Sequence, residues 1–416
     1  MSELRTIILA AGKGTRMKSD VPKVLHPVAG RPIVQYVLDV ARGLRSLKTY
    51  LVTGHGAAQV QESVGDGVTY VMQDKLLGTG DAVNRCAPHL KGFKGTVLIL
   101  CGDTPLLSKG IVRILLNQHQ RTKASATILT AILNEPHGYG RMVRNSANEL
   151  LAIREQKDAT HDEDKIKEIN VGVYCFEAPD LFETLKKVKL NPKKKEFYLT
   201  DVIELLLAAD KRVATVTTSD ETVAFGVNTR VDLAQAENVI RQRILKEHML
   251  NGVTITDPAT TYIEANVTIG QDTVIHPCSF IHEGVKIGKN CSIGPLARIR
   301  PGSKIGDGTQ IGNFTEVSRT HIGKKTLMKH FSFLGDAIIG DTVNIGAGTI
   351  TANYDGKNKN LTKIADGAFI GSDTVLVAPV SVGKKAMIGA GSLVTRGKNI
   401  PAGSVAFGAP ARVIKR

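Results

Sequence analysis

The residues best suited to chemistry lie near the start of the chain. Leu9-Ala10-Ala11-Gly12-Lys13-Gly14-Thr15-Arg16-Met17 is followed at short range by Pro22-Lys23. Glycines and small side chains leave backbone N–H groups bare and let the main chain approach phosphate oxygens. Lys13, Arg16 and Lys23 add full positive charges. The chemistry that fits is the binding of a phosphorylated ligand. Two better-known phosphate loops are excluded. A dinucleotide fingerprint needs glycine where Met17 stands, and the Gly-x-x-x-x-Gly-Lys-Ser/Thr pattern is absent. On spacing alone, a glycine turn closing a strand–helix unit stays open. A second chemical candidate is Asp103, in Cys101-Gly102-Asp103-Thr104-Pro105-Leu106 after the apolar run Thr96-Val97-Leu98-Ile99-Leu100. A carboxylate just past a central parallel strand faces the ligand crevice, where it suits a metal better than a core.

These residues need a sheet to hold them. Thr6-Ile7-Ile8 reads as a buried first strand, Thr49–Thr53 as the second, Val68–Met72 as the third, and Thr96–Leu100 as the central one. Residues 1–228 alternate such runs with amphipathic segments, the pattern of a mostly parallel sheet covered by helices. Over 229–250, Leu233, Val239-Ile240, Ile244 and Met249-Leu250 fall on a helical period that stops at Asn251-Gly252, a helical arm between domains. Beyond it, aliphatic residues recur every six positions from Ile263 to Val317, slip phase once before Ile339, and run again from Ile364 to Ile400. Period six fits a parallel β-helix in which each unit forms one flat side. The 251–416 domain therefore holds eight or nine coils, with 352–363 leaving them as a loop.

Composition narrows the function classes. A net charge of +15 invites a nucleic-acid reading, but aromatics are only 5%, Trp is absent and no nucleic-acid motif appears. Anionic small substrates account for positive pockets as well, and the cluster Lys193-Lys194-Lys195 reads as a solvated loop. Five cysteines without C-x-x-C spacing read as free thiols. No apolar run reaches membrane-spanning length and no signal peptide is apparent, so a cytoplasmic chain without membrane insertion is expected.

The motif Leu-x-x-Gly-x-Gly-Thr-x-Met with its downstream Pro-Lys resembles the signature of sugar-1-phosphate nucleotidyltransferases. Leu9 through His26 is similar to the bacterial bifunctional N-acetylglucosamine-1-phosphate uridyltransferase / glucosamine-1-phosphate acetyltransferase family. Further matches are Gln73 with Gly78-Thr79-Gly80, Gly138-Tyr139-Gly140-Arg141, Glu155 in Glu-Gln-Lys-Asp-Ala, Asn170 in Glu-Ile-Asn-x-Gly, and Asn228 in Gly-Val-Asn-Thr. The resemblance implies a Rossmann-like nucleotidyltransferase domain and a left-handed parallel β-helix of hexapeptide repeats, assembled as a homotrimer. It implies that Leu9, Ala10, Ala11, Gly12, Lys23, Gln73, Gly78, Thr79, Gly102, Gly138, Glu155, Asn170 and Asn228 bind UTP and the sugar nucleotide. Lys23 would act catalytically, and Asp103 and Asn228 would hold Mg²⁺.

In the second half the match runs through Arg298-Ile299-Arg300-Pro301-Gly302, Gly312-Asn313-Phe314, Leu334-Gly335-Asp336, Val343–Ile350 and Asn353-Tyr354-Asp355-Gly356. By resemblance His330 is the general base that deprotonates the acceptor amine, and Arg300 and Asn344 contact the sugar phosphate. Ala347, Asn353, Tyr354, Ser372 and Ala390 would line acetyl-CoA, with Lys359 reaching toward the site from the off-coil loop. Three positions depart from the family. Ser318 stands where the family has Lys, so one charged contact to the phosphate is missing, although Arg319 is adjacent. Phe333 replaces a Tyr near the acceptor sugar. Phe407 falls where a CoA-contacting Arg is expected, with Arg412 close by in the tail.

The function implied is acetylation of glucosamine-1-phosphate from acetyl-CoA, then uridylyl transfer from UTP to N-acetylglucosamine-1-phosphate, supplying UDP-N-acetylglucosamine for peptidoglycan and lipopolysaccharide synthesis. Ser318 and Phe333 leave two alternatives: a β-helix that acetylates a different amino sugar, or one that serves only as a trimerisation scaffold.

Overall fold

The apolar runs of the first half form one sheet. In the computed structural model, which describes residues 3–193 and 195–414, its order is Val213–Thr218, Ala126–Ile132, Glu168–Glu177, Thr96–Cys101, Leu4–Leu9, Lys48–Thr53 and Thr69–Met72. Lys194, in the basic cluster, lies outside the described residues. Neighbours are parallel except at Glu168–Glu177, which runs antiparallel to both Thr96–Cys101 and Ala126–Ile132. Thr96–Cys101 takes the middle because an unbroken apolar run can be buried on both faces. Alternation then divides the core, with Ile7, Tyr50, Val97 and Ile99 in one layer and Ile8, Leu51, Leu98 and Leu100 in the other.

Chain order fixes where this sheet binds. From Leu4–Leu9 the chain moves outward through Lys48–Thr53 and Thr69–Met72, then returns to the opposite side of Leu4–Leu9 as Thr96–Cys101. That reversal opens a crevice at the carboxyl ends of the two central strands, where Leu9 pairs with Cys101. The signature loop leaves one strand at this point and Asp103 follows the other.

The chain divides into two compact units, Met1–Glu237 and Asn238–Arg416, and the division falls inside the helix Arg230–Leu250. In the first unit, Arg230 Nε donates to the Met17 carbonyl at 3.3 Å and the Ala29 N–H to the Glu237 carboxylate at 2.6 Å. In the second, Leu245 is fully buried in one cluster with Val253, Ile255 and Ile263. The buried stripe runs through Ala236, Ile240 and Leu245, whereas Met249 and Leu250, expected on it, stay exposed. The chain turns at Gly252 (φ 88°), and Val253 and Ile255 supply the apolar contact instead.

The second unit is a coil of two- to four-residue strands stacked into three sheets of ten, eight and eight strands. All neighbours are parallel until Ala411–Ile414, which folds back antiparallel on Val405–Gly408. Each inward Ile or Val loses most of its exposure, contributing about 1.5–3 kcal/mol apiece. Corner hydroxyls are satisfied inside: Thr309 Oγ1 donates to the Gly323 carbonyl at 2.7 Å and Thr326 Oγ1 to that of Gly340 at 2.9 Å. The period slips twice, not once. Val317 to Ile322 and Leu334 to Ile339 are five-residue steps, with Met328 and Leu334 inward between them. At these two corners Arg319 (φ 50°) and Asp336 (φ 48°) adopt the left-handed turn one position earlier than Gly302 does in the coil below. The off-coil loop spans 353–361, between Ile350–Ala352 and Thr362–Ile364.

Candidate active sites

The signature loop, Lys23, the Gln73–Thr79 segment and Asp103 enclose a cavity of about 360 Å³. Leu9, Ala10, Ala11, Gly12, Gln73, Gly78 and Thr79 line it, together with Leu76, Cys101 and Glu196, three residues that motif matching did not single out. The Lys23 ammonium donates to Asp103 Oδ2 and, at 3.0 Å, to Asn228 Oδ1. Arg16 Nη2 reaches the same Asn228 oxygen at 2.9 Å. One carboxylate and one amide oxygen thus converge on Lys23, with Arg16 sharing the amide oxygen. Hard oxygen donors few in number fit Mg²⁺, which takes its remaining ligands from phosphate and water. Gln73 is held open toward the cavity by donating to the Gly78 carbonyl at 3.0 Å and to Asp81 at 2.9 Å. Gly102 keeps the crevice floor narrow, since a Cβ there would lie 3.0 Å from the Leu9 carbonyl.

The two glycines of the loop do different work. Gly14 is left-handed (φ 59°), and a Cβ on it would lie 2.7 Å from Lys23 Cβ. A Cβ on Gly12 would meet nothing within 4 Å, so the fold does not require glycine there. Gly14→Ala should therefore lose about 1–2 kcal/mol in urea unfolding. Gly12→Ala should stay within about 0.5 kcal/mol of the parent while raising the KM for UTP.

The residues matched to the sugar lie beside this cavity without lining it. Glu155 Oε1 accepts from the Thr200 hydroxyl at 3.1 Å, and Asn170 Nδ2 donates to the Tyr174 hydroxyl at 2.6 Å. The Gly138 N–H donates to Gln156 Oε1. Thr200 and Tyr174 are partners that one sequence gives no signal for, whereas Gln156 stands in the matched Glu-Gln-Lys-Asp-Ala segment. Burial raises the Glu155 pKa, the neighbouring Asp201, Asp158 and Glu196 carboxylates add to it, and the Thr200 hydrogen bond opposes it. A carboxyl raised in the folded state costs stability wherever it must ionise. Wild type is thus relatively most stable below the ordinary glutamate pKa and loses that advantage as pH rises through the raised value. Glu155→Gln should raise Tm at neutral pH, with the gain vanishing near pH 4, and should raise the KM for the sugar phosphate. Thermal melts across pH with KM measurements check both.

On the β-helix the matched residues fall on two corners and the faces beside them. One corner carries His330, Ala347, Ser372 and Ala390. The coils stack there through backbone bonds from Gly348 N to Phe331 O (2.7 Å), Asp373 N to Ala347 O (2.7 Å) and Gly391 N to Ser372 O (2.7 Å). Glycine permits this stacking: a Cβ on Gly312 would sit 1.8 Å from the Lys329 carbonyl, and one on Gly346 would sit 2.5 Å from Ser372 N. His330 is exposed and makes no hydrogen bond to the described residues. Asn344 lies on the face leading into this corner.

The other corner carries Arg300, Ser318, Asn353 and Tyr354. Arg300 Nη1 pairs with Glu316 at 2.9 Å. Ser318 is fully buried and presents no hydroxyl to solvent; its Oγ accepts from Arg319 Nη1 at 2.8 Å. The left-handed backbone at Arg319 turns its guanidinium toward the serine. Arg319 also grips Asp336 through two bonds of 2.6 and 2.8 Å, and Asn353 donates to the same carboxylate. Bound by this guanidinium, Asp336 is held below the usual aspartate range. Phe333 lies on the face between the corners, over Glu316 and under Ile350, at a hollow of about 690 Å³. Phe407 and Arg412 are direct cross-strand partners in the terminal hairpin.

Family comparisons cover both units. The model of the MobA-like NTP transferase domain matches residues 6–166. Hexapeptide models match residues 284–319 (bacterial transferase hexapeptide, six repeats) and residues 261–295 and 362–396 (hexapeptide repeat of succinyl-transferase). The Bifunctional protein GlmU of Geobacillus thermodenitrificans is 46% identical, over 98% of this chain and 96% of that protein. This chain belongs to the GlmU family. The GlmU of Brevibacillus brevis is 43% identical over 100% of this chain and 97% of that protein. Membership makes the coil a left-handed β-helix and the chain a bifunctional enzyme, with uridyltransferase and glucosamine-1-phosphate acetyltransferase activities. Among the described residues no helix is long and apolar enough to cross a membrane.

Proposed function

We propose that the β-helix acetylates glucosamine-1-phosphate from acetyl-CoA and that the N-terminal crevice then joins the product to UTP, releasing pyrophosphate. The observation that carries the second step is the convergence of Lys23, Asp103 and Asn228 at the mouth of a glycine-lined cavity. Gln73 and the open backbone at Gly78-Thr79 read the uracil edge. Lys23 neutralises the triphosphate while a sugar-phosphate oxygen attacks the α-phosphorus in line, chemistry that needs positioning and charge stabilisation and no covalent intermediate. Asp103 and Asn228 would hold Mg²⁺, which supplies further stabilisation of charge on the phosphates. Glu155 and Asn170, with the Gly138 loop, orient the acetylated sugar.

In the acetyl step His330 takes the proton from the acceptor ammonium, freeing its lone pair to attack the thioester. Arg300 and Asn344 hold the sugar phosphate, with Ala347, Asn353, Tyr354, Ser372 and Ala390 along acetyl-CoA. The separation of His330 from Arg300 and Asn353 by a whole face supports a site shared between chains, as a homotrimer provides. Sedimentation should give three times 44.6 kDa. Family membership supports an unchanged acceptor; the Arg319 guanidinium beside Ser318 is paired with Asp336 and returns a hydrogen-bond donor to that corner without a net charge. Arg412, opposite Phe407, is the cation for the CoA phosphates.

Thiol release from acetyl-CoA, measured with glucosamine-1-phosphate beside galactosamine-1-phosphate and glucosamine-6-phosphate, tests the acceptor. Preference for glucosamine-1-phosphate is expected; faster turnover with either alternative would overturn it.

A further inference from the structure

Lys23 occupies the one point where the oxygens of Asp103 and Asn228 meet. Its side chain is 14% exposed and that of Asp103 23%, so the pair is largely withdrawn from water. The main chain that carries each oxygen is fixed independently of the ion pair. The bare Gly14 leaves room for the Lys23 stem, since a Cβ there would lie 2.7 Å from Lys23 Cβ. The Val227 N–H donates to the Asp103 carbonyl at 2.9 Å. The Asn228 and Thr229 N–H groups donate to Asp232 at 2.9 and 2.8 Å. Asn228 Nδ2 also donates to the Gly226 carbonyl at 3.2 Å, which orients the amide, and the Lys23 ammonium, with Arg16 on the amide oxygen, satisfies both oxygens without nucleotide.

We propose that Lys23 is the resident counter-ion of this oxygen pair and competes with a divalent cation for it. The ammonium and a metal ion cannot both occupy the position between the two oxygens, so a metal enters only when the ammonium has a better partner. A triphosphate is such a partner. Lys23 itself lines the cavity that receives it, and the several negative charges of a triphosphate attract an ammonium more strongly than the single charge of Asp103 with the neutral Asn228 amide. The divalent cation consequently binds together with the nucleotide and not ahead of it. This rests on the reading of Asp103 and Asn228 as metal ligands.

Removing the ammonium leaves a half-buried carboxylate unpaired, which is destabilising until another cation arrives. The test is nucleotide-free Mn²⁺ binding to the full chain, followed by electron paramagnetic resonance and by thermal shift, on wild type, Lys23→Met, Lys23→Gln and Lys23→Met with Asp103→Asn. The glutamine variant keeps a donor without the charge and covers failure of Lys23→Met to fold. The single variants should bind Mn²⁺ at least about tenfold tighter than wild type, a difference of about 1.4 kcal/mol. Their melting temperature should recover on adding Mn²⁺, and both effects should disappear in the double variant. Single variants binding no tighter than wild type would overturn the counter-ion role while leaving the ligand reading intact. Tighter binding that survives Asp103→Asn would overturn the ligand reading itself.

Discussion

His330→Ala slows thiol release from acetyl-CoA by orders of magnitude and leaves pyrophosphate release from UTP and N-acetylglucosamine-1-phosphate unchanged. A positioned general base contributes about 10²–10⁴-fold, and the loss should fall in that range. The residue is exposed on a corner whose shape comes from glycines at 312 and 346 and from inward Met328, none of which the substitution touches. The fold therefore has no reason to respond, and the melting temperature should stay within the spread of ordinary surface changes, about 0.5 kcal/mol. A loss confined to kcat at saturating acetyl-CoA marks a proton-transfer role. Restored activity at high pH, where the acceptor amine is already neutral, would follow from the same role.

Asp103→Ala has the opposite pattern. Uridylyl transfer should fall by about 10²–10³-fold, the usual cost of deleting one preorganised electrostatic group, with acetyl transfer unchanged. The carboxylate holds the Lys23 ammonium, and its removal frees that ammonium to seek Asn228 alone. A rise in the metal concentration needed for half-maximal rate, larger than any rise in KM for UTP, separates the loss of a metal ligand from loss of nucleotide binding. Pyrophosphate release at a series of Mg²⁺ concentrations reads both.

Much of this architecture is legible in the sequence because both units repeat a simple physical rule. Buried parallel strands demand unbroken apolar runs, and Thr96–Leu100 accordingly takes the middle of the sheet. A coil with three flat sides demands one inward aliphatic per side, and the period-six isoleucines declare it. What the sequence hides is local backbone choice. Nothing in Val317-Ser318-Arg319 announces that Arg319 turns left-handed, shortens the corner and brings its guanidinium to the serine hydroxyl. The helix Arg230–Leu250 has an apolar period, yet only contacts decide that Leu245 is buried and Leu250 is not. Site residues divide the same way. The signature loop, Lys23 and Asp103 are readable because glycines and charges follow a strand, whereas Thr200 behind Glu155 and Tyr174 behind Asn170 meet their partners only through folding.

The central claim is that two chemistries run in series on one chain. It is tested most directly by supplying purified protein with acetyl-CoA, glucosamine-1-phosphate, UTP and Mg²⁺, and following free thiol and pyrophosphate in the same sample. Thiol should appear first and pyrophosphate should follow to the same final amount, with no pyrophosphate when acetyl-CoA is withheld. Pyrophosphate formed only when N-acetylglucosamine-1-phosphate is added from outside, with no thiol released, would contradict the account.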